Sequence, residues 1–324
     1  MGQSYQRFLI VGGAGFIGSH FLDSLLATAG VERVTLFDNF SSGREWHYEH
    51  HREDVRLCVV KGDVLDLEAL CAAARGHEVV IHLASNPDIA RAATEPDIDF
   101  YQGTLLTNNV LEAMRRGGVE RLLYASGSGV YGDLGEHEAA EDYGPLIPVS
   151  TYGASKLAGE ALISSYCHMF GLTACAFRFG NVVGPRQTHG VGYDFVRRLS
   201  VDPTRLRILG DGTQSKSYIH VSDVTAAVLH ANIHSQPRFQ VFNVATGDYI
   251  TVKEIADLAA EVLALGQPPE YEFTGGDRGW KGDVPVVRLN TDRIQSLGWQ
   301  CKHDTRTALR LSLASLAADE RIKL

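Results

Sequence analysis

This sequence of 324 residues predicts a parallel, doubly wound α/β sheet followed by a smaller C-terminal α+β lobe. Three observations carry that expectation. Short β-branched runs alternate with amphipathic segments from Phe8 to about Ser126, the runs are nearly all apolar as strands covered on both faces must be, and after Asn181 the alternation gives way to loops rich in Gly and Pro. In order, the elements are the strand FLIVGG, a helix over 16–27, and the strands RVTLFD, LCVVKGD and EVVIHLA. A long helix over 97–116 follows, with Leu105, Val110, Leu111 and Met114 at helical spacing, and then the strand RLLYASG. A second long helix is expected over 152–170, ended by Gly171, whose tolerance of positive φ suits a C-cap. The strand TACAFRF completes the sheet as predicted, and beyond it come a strand at RLRIL and helices over 221–234 and 252–265. Residues 1–180 are therefore expected to form one domain and 181–324 mainly the lobe, with some chain returning to the first domain.

Composition limits the function. A net charge of -9 argues against a nucleic-acid partner, whose binding draws on clustered Lys and Arg. The five cysteines are scattered, odd in number and never spaced as CxxC, which implies neither a disulfide framework nor a zinc knuckle and fits a reducing cytosol. No stretch of about 18 apolar residues occurs and the first residues run straight into a strand, so neither a membrane span nor a signal segment is expected. His47, His50 and His51 crowd into HYEHH, which reads as a solvated loop and not a metal site.

The first motif with chemistry in it is Gly12-Gly13-Ala14-Gly15-Phe16-Ile17-Gly18, between a strand and a helix. There Gly12 permits a tight turn, Gly15 lets a pyrophosphate approach the helix N-terminus with Phe16 and Ile17, and Gly18 lets helix and strand pack closely. This is the dinucleotide fingerprint of a Rossmann fold. Asp38 closes the second strand where a ribose-binding carboxylate belongs; it would repel a 2'-phosphate, and no Arg is nearer than Arg44, so NAD is expected over NADP. Asn39, Ser42 and Gly43 continue that bank, Asp63 and Val64 end the third strand near the adenine, and Leu83, Ala84 and Ser85 end the fourth.

The second motif is Tyr152-Gly153-Ala154-Ser155-Lys156. Four apart on a helix, Tyr152 and Lys156 share one face. A phenol with a pKa of about 10 is no base at neutral pH, but an ammonium and the pyridinium of oxidised NAD both favour phenolate. The pair follows the fifth strand, where it would face a nicotinamide laid across the sheet's carboxyl ends.

Taken together, GGAGFIG, LFDN, VVIHLA, VYGD, YGASKLAGE, FRFGNVVGPRQ and GDGTQSKSYIHV run through essentially the whole chain in order. The chain resembles the extended short-chain dehydrogenase/reductase family, above all its UDP-glucose 4-epimerase-like members. The resemblance implies that the tyrosine takes the proton of a sugar 4-hydroxyl while hydride passes to NAD, and that the keto sugar turns and recovers the hydride on its other face. It also implies a homodimer joined through the two long helices. Asn181 stands where the family contacts the sugar diphosphate, Lys216 where many members have Arg before an aromatic, and Arg278 is the candidate for a second phosphate contact.

Two departures stand out. The family's Ser or Thr three residues before VYG, whose hydroxyl bonds the reacting oxygen, is Gly127 here; Ser128 is the expected substitute and Ser126 the second choice, although a regular strand would turn both to the other face. Phe100 replaces the Asn expected before Gly103-Thr104. The Asp and Glu with which the family's sugar dehydratases eliminate water are Ser128 and Gly129 here, which speaks against dehydration. After GPRQ come Thr188 and His189, which favours a neutral hexose, with Arg186 or His189 left as possible grips for an acid. The competing expectations are a uronate epimerase, another 4-keto-forming enzyme of the family, and a non-catalytic NAD-binding protein, against which Tyr152 and Lys156 speak.

Overall fold

In the computed structural model, which describes residues 5–235 and 238–322, the predicted strand and helix alternation becomes a three-layer Rossmann fold. The elements of its first part are β1 (Arg7–Val11), α1 (Phe16–Leu26), β2 (Arg33–Asp38), β3 (Leu57–Lys61), α2 (Leu67–Ala74), β4 (Val79–His82), α3 (Leu106–Gly117), β5 (Arg121–Gly127), α4 (Thr151–Phe170) and β6 (Thr173–Phe179). The rest of the chain adds β7 (Asn181–Val183), α5 (Val191–Val201), β8 (Arg205–Ile208), β9 (Ser215–Lys216), β10 (Tyr218–His220), α6 (Val221–His234), β11 (Phe239–Val244), β12 (Ile250–Thr251), α7 (Val252–Val262), β13 (Glu270–Phe273), α8 (Asp292–Gln295) and α9 (Thr305–Ala318).

The main sheet has seven parallel strands in the order β3-β2-β1-β4-β5-β6-β11. Strand order reverses between β1 and β4, so a crevice opens at their carboxyl ends, the place where such sheets bind ligands. The last strand comes from the C-terminal part of the chain. Because side chains alternate across a strand, Ile10, Leu36, Ile81, Leu123 and Phe177 pack with α1 and α6 on one face. Leu9, Phe37, Val80, Leu122 and Tyr124 pack with α2, α3 and α4 on the other. The edge strand β3 departs from the all-buried expectation: Val59 is 38% exposed at the margin of the sheet, where β3 has only β2 as a neighbour.

Both long helices form, with different starts. Ser150 caps α4 by accepting from the Gly153 N–H at 3.0 Å, and Gly171 ends it at φ +77°. The helix expected over 97–116 begins instead with a wide π-helical turn over Phe100–Leu105, with Gly103 pressed so closely on Ser155 that a Cβ would lie 2.6 Å from its hydroxyl. Beyond the main sheet, α5, α7 and α9 enclose a separate core around Phe195, Leu206, Ile255 and Leu309. Among the described residues no helix is long and apolar enough to cross a membrane.

Candidate active site

The glycine turn is built to leave room. Gly12, at φ +81°, donates its N–H to the Phe37 carbonyl at 2.8 Å, and a Cβ on it would sit 2.7 Å from the Ala84 nitrogen. A Cβ on Gly18 would meet the Gly13 carbonyl at 2.6 Å, so the close approach of α1 to β1 depends on glycine. Gly15 opens α1 with no side chain capping it, which leaves the N-terminal N–H groups beside Phe16 and Ile17 for an anion.

Asp38, buried at the end of β2, accepts from the Ala14 N–H at 3.0 Å and the Phe40 N–H at 2.7 Å. Burial pushes its carboxyl above the usual range while those two bonds pull the other way. Each oxygen keeps a lone pair for a ribose hydroxyl. A Cβ on Gly43 would lie 2.8 Å from Asp38 Oδ1, so the loop carrying Ser42 and Gly43 closes directly on the carboxylate. Asn39 Nδ2 donates to Asp63 Oδ2 at 3.2 Å, the Val64 carbonyl accepts from Asn109 Nδ2 at 2.9 Å, and the N–H groups of Leu83 and Ala84 both reach the Val11 carbonyl. A turn of glycines and one alanine, an uncapped helix start and a carboxylate that, among the described residues, makes no ion pair fit NAD.

Across the crevice, α4 brings in the second motif. Lys156 is buried; its Nζ donates to the Ala125 carbonyl at 2.8 Å and lies 5.4 Å from the centre of the Tyr152 ring. Burial lowers the Lys156 ammonium to about 8, an effect that the carboxylate of Asp99 counteracts. Burial raises the Tyr152 phenol, while the Ser85 hydroxyl beside it favours the ionised form. Asp99 itself is fully buried and accepts from Thr151 Oγ1 at 2.6 Å and Asn86 Nδ2 at 2.9 Å, tying the chain after β4 to the start of α4.

The serines near the end of β5 do different things. Ser126, expected as a second-choice catalytic hydroxyl, donates instead to Glu160 Oε1 at 2.6 Å, inside a buried pair of Glu160 with Arg178. Strand alternation turns it into α4, away from the position of Gly127. Ser128 opens a 3-10 turn and lines a small cavity with Tyr131, His137 and Val286–Leu289. At Gly127 itself a Cβ would meet no atom within 4 Å. Phe100 leaves its ring 56% exposed.

With this geometry in place, comparison with known proteins is decisive. The sequence pattern of the NAD dependent epimerase/dehydratase family matches residues 8–245. The chain belongs to that family. A UDP-glucose 4-epimerase from Mycolicibacterium smegmatis is 34% identical over 91% of this chain and 93% of its own length. Among solved structures, a UDP-galactose 4-epimerase is 35% identical, with a TM-score of 0.85 over 96% of this chain and 99% of its own. A UDP-glucose 4-epimerase from Thermus thermophilus in complex with NAD is 33% identical, with a TM-score of 0.84 over 97% of this chain and 99% of its own. The reading of the sequence as an NAD-dependent nucleotide-sugar 4-epimerase of Rossmann fold, in the extended short-chain dehydrogenase/reductase family, is borne out.

Within this family member, the expected substrate residues divide. Lys216 and Arg278 meet at Asp283: Lys216 Nζ lies 2.7 Å from its Oδ1, and Arg278 Nη1 lies 2.6 Å from its carbonyl oxygen. Arg278 Nη2 also spans to Asp133 Oδ2, at 2.5 Å, in the loop after β5. Asn181 is exposed at the start of β7. Arg186 is elsewhere. Held at φ +67°, it donates to the His47 carbonyl at 3.0 Å and pairs with Asp23 of α1, so its guanidinium is committed beneath the glycine turn and not to substrate. The HYEHH segment is solvated only in part, with Glu49 and His50 exposed. His47 is fully buried with Nδ1 2.6 Å from the Ala14 carbonyl, and His50 and His51 both bond Asp23 Oδ1, because the segment folds down onto α1.

Reading the sequence alone misses Asp99 and the Glu160–Arg178 pair. Asp99 gives no signal, being one acid among several before a helix. Glu160 gives one: it follows Tyr152 and Lys156 at the same spacing of four, and Arg178 is the single charge in an apolar strand.

Proposed function

We propose that the chain inverts C4 of a UDP-activated neutral hexose. The observation that carries this is the convergence of Tyr152 and Lys156 on the carboxyl end of β5, across the crevice from Asp38 and the open start of α1. Gly12, Gly15, Phe16, Ile17 and Gly18 hold the diphosphate of NAD, and Asp38, with Asn39, Ser42 and Gly43, holds its adenosine ribose. Asp63 and Val64 border the adenine, while Leu83, Ala84, Ser85, Tyr152 and Lys156 border the nicotinamide half. When bound, NAD supplies an acceptor that takes hydride from C4 and gives it back.

Tyr152, as phenolate, takes the proton of the 4-hydroxyl and later returns it. Lys156, held by a hydrogen bond to Ala125 with its ammonium 5.4 Å from the Tyr152 ring centre, favours the phenolate through its charge. Asn181, Lys216 and Arg278 bind the sugar diphosphate, and the keto sugar turns about that anchored end. The preference for a neutral sugar is supported by Arg186, whose pairing with Asp23 leaves it no carboxylate to grip in the pocket. Residues 1–180 form the cofactor domain and 181–324 mainly the substrate lobe. Homodimerisation is supported by the exposed Phe100 and Tyr101 in the turn that opens the first long helix and Met169 and Phe170 at the end of the second, and a cytosolic setting by five free thiols.

Chromatography of products from a panel of nucleotide sugars tests this reading, together with assay of dinucleotide released on denaturation. Interconversion of UDP-glucose and UDP-galactose by protein that carries NAD is expected. Conversion of a uronate alone, or purified protein that lacks NAD and binds it weakly, counts against it.

A further inference from the structure

Gly127 leaves the end of β5 without a hydroxyl, and the structure offers one from beyond the end of the neighbouring strand. Parallel pairing runs from Val79 with Arg121 to His82 with Tyr124. The pairing stops at His82; Ser85 lies three residues further on, in the segment that leaves the carboxyl end of β4, the strand beside β5.

The hydrogen bonds on either side hold Ser85 near the catalytic tyrosine. Its neighbour Asn86 donates to one oxygen of the Asp99 carboxylate, at 2.9 Å, and Thr151, the neighbour of Tyr152, donates to the other, at 2.6 Å. The Asn86 N–H is fixed as well, to the Gln102 carbonyl at 3.0 Å. Asp99 thereby staples the two chain segments together immediately beside Ser85 and Tyr152. The competing hydroxyls are placed otherwise: Ser126 is committed to Glu160, and Ser128 lines the cavity toward Val286–Leu289.

We infer that Ser85 is the hydroxyl partner of Tyr152, donating to its phenolate oxygen and sharing the reacting proton in place of the side chain absent at 127. The inference rests on the epimerase reading above. It makes Ser85 a catalytic residue and not only part of the cofactor wall. A phenolate formed at a buried site is strongly stabilised by one aimed donor, and among the described residues no hydrogen bond joins Lys156 to Tyr152. The Ser85 hydroxyl favours ionisation of the phenol, as such a donor must.

The test compares wild type, Ser85→Ala, Gly127→Ser and the double variant, measuring kcat, KM and NAD content across pH with the UDP-hexose that wild type converts. Ser85→Ala is expected to lower kcat about 100-fold to 1000-fold, the usual effect of losing one aimed donor, with KM and NAD content retained and the acid limb of the kcat profile moved to higher pH. Gly127→Ser, which has open space for its side chain, is expected to recover at least tenfold in the Ser85→Ala background. Unchanged kcat in Ser85→Ala, or a loss matched by loss of NAD, overturns the inference. Ultraviolet difference titration against Tyr152→Phe separates this outcome from failure of the epimerase reading. If wild type converts no nucleotide sugar, Ser85→Ala still raises the pKa of the Tyr152 phenol, and an unmoved pKa overturns the role of Ser85 by itself.

Discussion

The ammonium of Lys156 is bonded to the Ala125 carbonyl and sits 5.4 Å from the centre of the Tyr152 ring, close enough for its charge to act on the tyrosine. That charge is buried and lowered to about 8 by desolvation. Turnover should therefore fall on the alkaline side as Lys156 loses its proton, and on the acid side as the Tyr152 phenol regains one. Tyr152→Phe should abolish kcat with NAD content and fold retained, as measured by turnover, released dinucleotide and circular dichroism.

The same burial has a stability consequence with a definite sign. An unfolded lysine keeps its proton to about pH 10.4, so between about 8 and that value the unfolded chain binds more protons and this group's contribution to stability rises with pH. Below about 8 the buried charge is a standing cost, at most roughly 3 kcal/mol for a shift of this size. Lys156→Met removes it. Urea denaturation should show the variant gaining on wild type at pH 7, with the difference shrinking by pH 9.5; a difference independent of pH would mean that Lys156 is not strained by burial.

Much of this site can be read in the sequence because its functional residues sit at fixed places in regular elements. Gly12, Gly15 and Gly18 are spaced by a strand-to-helix turn, Asp38 ends a strand, and Tyr152 and Lys156 are one helical turn apart. What could not be read depends on contacts between distant segments. The pairing of Arg186 with Asp23 joins residues 163 apart, and the Asp99 bridge needs both the chain after β4 and the start of α4. Ser126 depends on both: alternation turns it to the far face, but only the distant Glu160 shows what it bonds there.

Glu160 and Arg178 are each about 95% buried and bonded through two nitrogen-oxygen contacts of 3.0 and 2.7 Å. Arg178→Met should cost about 3–5 kcal/mol by leaving Glu160 charged and unpaired. Ser126→Ala removes one bond from a carboxylate that keeps the arginine, and should cost about 1–3 kcal/mol while sparing turnover. Equilibrium denaturation with parallel kcat measurements checks both. A large loss of kcat in Ser126→Ala at full stability would restore it as a catalytic hydroxyl.

Asp38 should decide which dinucleotide is held. Its carboxylate lies buried with Gly43 against it, so a 2'-phosphate would meet both a like charge and a closed wall. Wild type should bind NAD at least tenfold tighter than NADP by calorimetry. Asp38→Ala should weaken NAD about tenfold to a hundredfold, the range for hydrogen bonds to a charged group. Equal affinity of wild type for the two dinucleotides would remove Asp38 from this role.

The phosphate contacts yield the most revealing comparison, because Lys216 and Arg278 are already paired. Lys216 is bonded to Asp283 at 2.7 Å, and Arg278 reaches both the Asp283 carbonyl and Asp133. A diphosphate must therefore compete with protein carboxylates for these cations, which reduces what each contact adds to binding. Lys216→Ala and Arg278→Ala should weaken UDP and UDP-hexose in equal proportion, by about tenfold or less, since phosphate and not sugar is the partner. Asp133→Asn should do the reverse. It removes the competing charge from the more exposed cation, and UDP should bind several-fold tighter by calorimetry, with a steeper loss of affinity as salt is added. If Asp133→Asn weakens UDP instead, the carboxylate is holding Arg278 in its binding pose, and the pairing seen here is preorganisation for the diphosphate and not competition with it.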